Sequence, residues 1–180
     1  MIYFVTNKAE EYREYLNPTI KEFDDIRVVD VYNGMRLYNN VIGNSKIQSL
    51  DLETTGLDPY VAKIMLTGIG TPANKFVFGP EVDLTSIYEH IKKRKITIVG
   101  ANLKFDIKFI QTNYNILLTR VYDSIIAEQR LFMGYYRHNN LAELVKRYLK
   151  EYRDKEVRLE FVDKDINTFK IEYHHIKYLA

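Results

Sequence analysis

Apolar residues along this chain follow two different periods, and the change between them falls near the middle of the sequence. Up to Phe78 they come in short runs rich in β-formers, whereas after Asp83 they recur every three to four residues. Residues 2–6 predict a short strand, followed by a helix through Glu10 to Leu16 that ends near Asn17-Pro18. Ile26 to Tyr32 and Met35 to Ile42 read as strands joined at Asn33-Gly34, a pair suited to a hairpin turn. Three more strands are expected at Ile47 to Glu53, Ile64 to Gly70 and Lys75 to Phe78, the last two separated by a turn at Thr71-Pro72-Ala73-Asn74. This half predicts an antiparallel meander.

In the second half, Leu84, Ile87, Tyr88 and Ile91 fall at i, i+3, i+4 and i+7 behind Asp83, a suitable N-cap. That helix should end at Lys92, Lys93, Arg94 and Lys95, where cations complement the helix dipole. Ile96 to Val99 predict a strand, and Gly100-Ala101-Asn102 leads into a helix with Leu103, Ile107 and Ile110 on its apolar face. Asp123 caps a further helix through Leu131. Asn140 with Glu143 forms a capping box ahead of Leu141, Leu144, Val145, Tyr148 and Leu149. Strands first and helices afterwards imply an α/β fold, a mixed central sheet flanked by helices. Without repeats or linkers, residues 1–180 read as one domain, with 1–45 a strand, helix and hairpin extension that has a packing role and 46–180 the core.

Composition narrows the picture a little. A chain of 180 residues, 46% hydrophobic and 28% charged, can bury a substantial core, and a formal charge of +2 does not by itself point to nucleic acid. With no cysteine, disulfides and thiolate metal sites are excluded, so any metal must sit on oxygen or histidine. The N-terminal apolar run is too short and too soon followed by Glu10 and Glu11 for a signal peptide or membrane span. These features fit a cytoplasmic protein.

The candidate chemistry begins at Asp51-Leu52-Glu53-Thr54-Thr55-Gly56-Leu57-Asp58. Alternate strand residues share a face, so Asp51 and Glu53 project together while Leu50 and Leu52 turn into the core. Adjacent like charges repel, and a divalent cation is the usual remedy. In Asn102-Leu103-Lys104-Phe105-Asp106, Asn102 and Asp106 are four apart, one turn from each other at the start of a helix. Such a site favours an anion, with Asp106 able to hold a hydrated metal against it, although taken alone an Asn and an Asp in a first helical turn are more often capping residues. His90, His138, His174 and His175 read as surface histidines rather than ligands, and Asp163 and Asp165 as loop or capping residues.

These two motifs resemble the first and second motifs of the DEDD 3′-to-5′ exonucleases, within the ribonuclease H-like superfamily. Tyr122-Asp123-Ser124-Ile125-Ile126-Ala127-Glu128-Gln129 and the segment from Asn140 to Leu149 are similar to later segments of the proofreading domains of family A DNA polymerases and of ribonuclease D. The third motif of these families is Tyr-x-x-x-Asp or His-x-x-x-Asp. Tyr173 is followed four residues later by Lys177, so Tyr178-Leu179-Ala180 is the better match, with its aspartate expected two positions beyond the last residue.

By this resemblance, Asp51 would bridge two Mg²⁺ or Mn²⁺ ions about 4 Å apart, Glu53 would hold the ion carrying the attacking water, and Asp106 would hold the second through water. Tyr178 would orient that water, and Thr54, Leu57, Asn102 and Phe105 would line the path of the terminal nucleotides. The implied substrate is a single-stranded nucleic acid 3′ end, DNA ahead of RNA, and the implied partner a polymerase domain or a second polypeptide carrying the remaining aspartate. A ribonuclease D-like RNA trimmer is the alternative. A third expectation, from the incomplete last motif, is a catalytically impaired nucleic-acid-binding or partner module.

Overall fold

The computed structural model describes residues 1–23, 25–133, 139–151 and 156–180. Among them, seven strands form one sheet in the order β2-β1-β5-β4-β3-β6-β7. The strands are β1 (Ile2–Val5), β2 (Ile26–Val29), β3 (Ile47–Thr54), β4 (Ile64–Gly70), β5 (Lys75–Phe78), β6 (Thr97–Gly100) and β7 (Val121–Asp123). Among the described residues β4 alone runs against its neighbours; β1 is parallel to β2 and β5, and β6 is parallel to β3 and β7. The expected meander is therefore real for β3, β4 and β5, with the expected bounds for β4 and β5.

The helices are α1 (Ala9–Phe23), α2 (Val31–Val41), α3 (Thr85–Arg94), α4 (Leu103–Tyr114), α5 (Ser124–Leu131), α6 (Leu141–Tyr148), α7 (Glu156–Leu159) and α8 (Tyr173–Leu179). Two cores lie on opposite sides of the sheet. One joins Val5, Tyr38, Leu50, Leu52, Phe76, Tyr88, Phe109 and their neighbours, and the other joins Phe4, Tyr12, Leu16, Leu66, Val77, Phe161, Ile176 and Leu179. The alternation of Phe4 and Val5, or Val77 and Phe78, between them is the strand period made visible. No helix among the described residues is long and apolar enough to cross a membrane.

Two expectations about the first half are corrected. There is no hairpin at Asn33-Gly34, because residues 31–41 are helix α2. Asp30 caps that helix by accepting from Asn33 N, and Gly34 is there for close packing: a Cβ would lie 2.4 Å from Val5 Cγ1. Met35, Tyr38 and Ile42, which read as a strand, share one face of the helix and its C-cap on the core. Helix α1 continues through Asn17-Pro18 to Phe23 instead of stopping there. Burial of Ala9, Tyr12 and Leu16 against the sheet outweighs the one hydrogen bond a proline removes. Within residues 1–45, β1 and β2 continue the central sheet beyond β5.

In the second half α3 ends as expected at its basic run, where Lys95 adopts φ 53°. Asp83 accepts from Thr85 N, although the N-cap position itself falls on Leu84. Strand β7 was not expected; three residues are too few to show a period, and its order comes from parallel pairing with β6.

Candidate active site

The C-terminal ends of β3, β6 and β7 lie side by side, and an acidic cleft opens there. On β3, Leu50 and Leu52 enter the core while Asp51 and Glu53 take the other face. Asp51 stands opposite Gly68 of β4, and Glu53 opposite Leu66. Gly68 admits α8: a Cβ on it would meet Leu179 Cγ at 2.9 Å and Leu179 O at 3.0 Å. This close approach brings Tyr178, the residue before Leu179, to the same cleft. After Glu53 the register shifts, and Thr54 Oγ1 donates to Gly56 O at 2.7 Å to shape the turn that follows.

Beyond β6, Asn102 adopts the left-handed conformation, φ 60°, and makes no side-chain cap for α4. Asp123 does that work instead. One of its oxygens accepts from Leu103 N at 2.8 Å, and the other accepts from Ile125 N at 2.9 Å and Ile126 N at 3.3 Å. One carboxylate thereby fastens the starts of both α4 and α5, and Asn102 is left facing the cleft. One turn further, Asp106 reaches back to β3, where its Oδ1 accepts from Leu52 N at 3.0 Å.

The resulting cleft has a volume of about 340 Å³ and brings together Asp51, Glu53, Asp106, Asn102, Phe105 and Tyr178. Glu53 is only 5% exposed and Asp106 only 3%. Burial, together with the charges of Asp51 and Asp106, pushes Glu53 up to about 8. Burial and the charge of Asp51 push Asp106 up to about 8 as well. Arg158, also on the cleft wall, offsets part of both effects. Three carboxylates that share a cleft, two of them buried and resisting ionisation, are a fitting donor set for hard divalent cations, which take oxygen ligands and would replace the retained protons.

The other expected residues are placed differently. Leu57 is 76% exposed and lines an adjoining cavity together with Asn102 and Phe105. Thr54 is buried, with its hydroxyl directed to the Gly56 carbonyl. Arg158 and Asn140 line the cleft and were not foreseen; Asn140 also caps α6 through Glu143 N, which was its expected role. A basic residue on a four-residue helix carries no periodic signal, so Arg158 was not legible without the fold.

The histidines are less exposed than expected. His90 pairs with Gly43 O at 2.7 Å, and His138 lies outside the described residues. His175 is 2% exposed, among Phe161, Phe169 and His174. Glu160 accepts at 3.0 Å from His174 and at 2.9 Å from His175, a grouping with the ligand types of a metal site. However, Glu172 N donates to His175 Nδ1 at 2.9 Å, so the proton of the neutral ring sits on Nε2, which donates to Glu160. With both ring nitrogens engaged, His175 is a structural link between α8 and the turn that follows α7. Asp165 has the expected turn role, accepting from Asn167 N, and Asp163 adopts φ 57° in the loop.

A mixed sheet that gathers three carboxylates at the end of a central strand and the start of a helix fits the ribonuclease H-like fold that the sequence motifs imply. The chain belongs to the 3′-5′ exonuclease family of family A DNA polymerases, whose sequence profile matches residues 26–170. It is 34% identical to DNA polymerase I of Aquifex aeolicus over 135 residues, which is 73% of this chain and 21% of that protein. The fold is similar to Brucella melitensis NrnC bound to pGG, with a TM-score of 0.64 and 19% identity over 80% of this chain and 68% of that one. NrnC with bound Mg²⁺ gives a TM-score of 0.62 over the same shares at the same identity. Escherichia coli RNase D, an exoribonuclease involved in structured RNA processing, is similar with a TM-score of 0.64 and 16% identity over 78% of this chain and 36% of that one.

Proposed function

We propose that this chain removes nucleotides from the 3′ ends of single-stranded DNA, as the proofreading module that accompanies a family A DNA polymerase. The observation that carries this reading is the convergence of Asp51, Glu53 and Asp106, two of them buried and resisting ionisation, in one cleft. DNA is placed ahead of RNA because the sequence relative is a DNA polymerase, whereas the likeness to RNase D and NrnC lies at fold-level identity.

In this reading Asp51, Glu53 and Asp106 hold two Mg²⁺ or Mn²⁺ ions, which when bound supply an activated water and neutralise charge on the phosphate and the leaving 3′-oxygen. Asp51 and Glu53 present their oxygens from the part of β3 that is paired with β4, just beyond its pairing with β6, so their spacing is set before substrate arrives. Asp106 is held to β3 by the Leu52 N–H, which couples the helix-borne ligand to the strand-borne pair. Tyr178 orients the attacking water with its hydroxyl. Arg158 contacts a non-bridging phosphate oxygen. Asn102 and Phe105 receive the terminal nucleotide, with Phe105 offering a face to its base. Leu57 packs against the next base.

The test is Mg²⁺-dependent digestion of matched single-stranded DNA and RNA oligonucleotides, 5′-labelled to display a 3′-to-5′ ladder. The expected result is stepwise shortening of DNA from the 3′ end, faster than RNA and abolished by Asp51→Ala. Binding of either strand without shortening would contradict it. Preferential shortening of RNA would replace the DNA reading with an RNase D-like one.

A further inference from the structure

The cleft continues past Phe105. Asn102 and Phe105 are shared with a second cavity of about 220 Å³, whose other walls include Leu57, Pro59, Lys104 and Lys108. Leu57, Pro59 and Lys108 are shared in turn with a third cavity of about 610 Å³, larger than the cleft itself. The three form one track that starts at the carboxylates, crosses the first turn of α4, and runs out between that helix and the loop joining β3 to β4.

The two walls of the outer track differ in chemistry. On the helix side, Lys104 and Lys108 are exposed and four residues apart, hence on one face with an axial rise of about 6 Å between them. Gln111, Thr112 and Asn115 extend that wall with neutral hydrogen-bonding groups. On the loop side, Tyr60 is 84% exposed on the wall of the third cavity. Asp58 is the one carboxylate among the residues lining the second and third cavities, and its Oδ1 is engaged by Tyr60 N at 3.0 Å. An exposed aromatic ring facing a line of cations and amides, continuous with a site for a 3′ end, matches a single nucleic-acid strand, which has a π-face and a phosphate at every step.

We propose that the third cavity binds the single strand upstream of its terminal nucleotides, with Lys108 on a phosphate and a base stacked on Tyr60. The proposal rests on the exonuclease reading of the cleft and extends the substrate path outward from it. An enzyme built this way holds several nucleotides while acting on one, so affinity grows with strand length beyond the terminal nucleotides placed at the cleft and the adjoining cavity.

The test is equilibrium competition binding by oligodeoxythymidylates of two, four, six and eight nucleotides, with Ca²⁺ in place of Mg²⁺ to limit turnover. Affinity is expected to rise about tenfold or more from the dimer to the hexamer. Tyr60→Ala should weaken hexamer binding about fivefold or more while Tyr60→Phe retains it, and Lys108→Gln should flatten the salt dependence of hexamer binding by a slope of about 0.7. Thermal melts of each variant show that the fold is kept. Equal affinity for dimer and hexamer, or hexamer binding and salt dependence unchanged by Tyr60→Ala and Lys108→Gln, would overturn the proposal and leave the exonuclease reading standing. Competition by polyglutamate as effective as the hexamer would also overturn it, since that chain has charge but no base to stack. Failure of every length to bind would overturn both readings.

Discussion

The acidic centre on β3 and α4 and the Glu160-His174-His175 group on α8 and the turn after α7 are both clusters of titratable side chains, and they are satisfied in opposite ways. In the second, each charge or lone pair has a partner of the right kind: hydrogen bonds from His174 and His175 hold the Glu160 carboxyl below its ordinary range, and burial lowers His175. In the first, carboxylates face carboxylates, and burial removes the water that would relieve them. A cluster that satisfies itself stabilises a fold. One that does not is stable only with its protons or with a cation, and that need is its function.

The largest effect expected from breaking this contrast is on catalysis. Asp51→Asn or Asp106→Asn should lower Mg²⁺-dependent cleavage by about 10³-fold or more, because in the proposed mechanism several kcal/mol of transition-state stabilisation would depend on ions held by these oxygens. Single-turnover digestion of a labelled oligonucleotide measures it. Cleavage by Asp51→Asn within tenfold of the parent would place the chemistry elsewhere.

The pH response should separate the two clusters next. Glu53 and Asp106 bind protons more tightly in the folded than in the unfolded chain, so between about pH 5 and about pH 8 the native state carries more protons and the metal-free protein loses stability as pH rises. Glu53→Gln should therefore melt a few degrees higher than the parent at pH 8 without metal, an advantage that disappears near pH 5. Glu160 carries the opposite sign: its contribution is present at neutral pH and is lost as pH falls through its lowered folded-state value. A parent whose metal-free melting temperature climbed steadily from pH 5 to pH 8 would contradict the electrostatics assigned to the cleft.

The smallest effect is expected at the satisfied cluster. Glu160→Ala removes the acceptor shared by His174 and His175 and should cost about 1 kcal/mol, or about 2–4 °C in melting temperature. The stabilisation gained on adding Mg²⁺ should be the same as in the parent. Loss of that gain in Glu160→Ala would make the histidine group a metal site after all.

What the sequence revealed of the molecule follows the same division between local and distant causes. Leu50 and Leu52 alternating with Asp51 and Glu53 announce a half-buried strand with its acids on one face, and the structure has that strand. Residues 31–41 misled because Val31, Met35, Leu37 and Val41 are β-formers or apolar at mixed spacing, and Asn33-Gly34 imitates a hairpin; the cap from Asp30 and the fit of Gly34 against Val5 depend on tertiary contacts. In the site, Asp51, Glu53 and Asp106 were legible as residue types at fixed spacing. The dual anchoring by Asp123 of α4 and α5, the access that Gly68 gives to α8, and the place of Arg158 on the cleft wall come from residues far apart in sequence. No local pattern encodes them.

The most direct test of the central claim is a calorimetric titration with Mn²⁺ at pH 7, repeated in buffers of different ionisation enthalpy so that proton release is counted. The account predicts that binding displaces protons from the cleft, that Asp51→Asn abolishes it, and that Glu160→Ala leaves it intact. Binding without proton release, or binding that survives Asp51→Asn and is lost in Glu160→Ala, would contradict it.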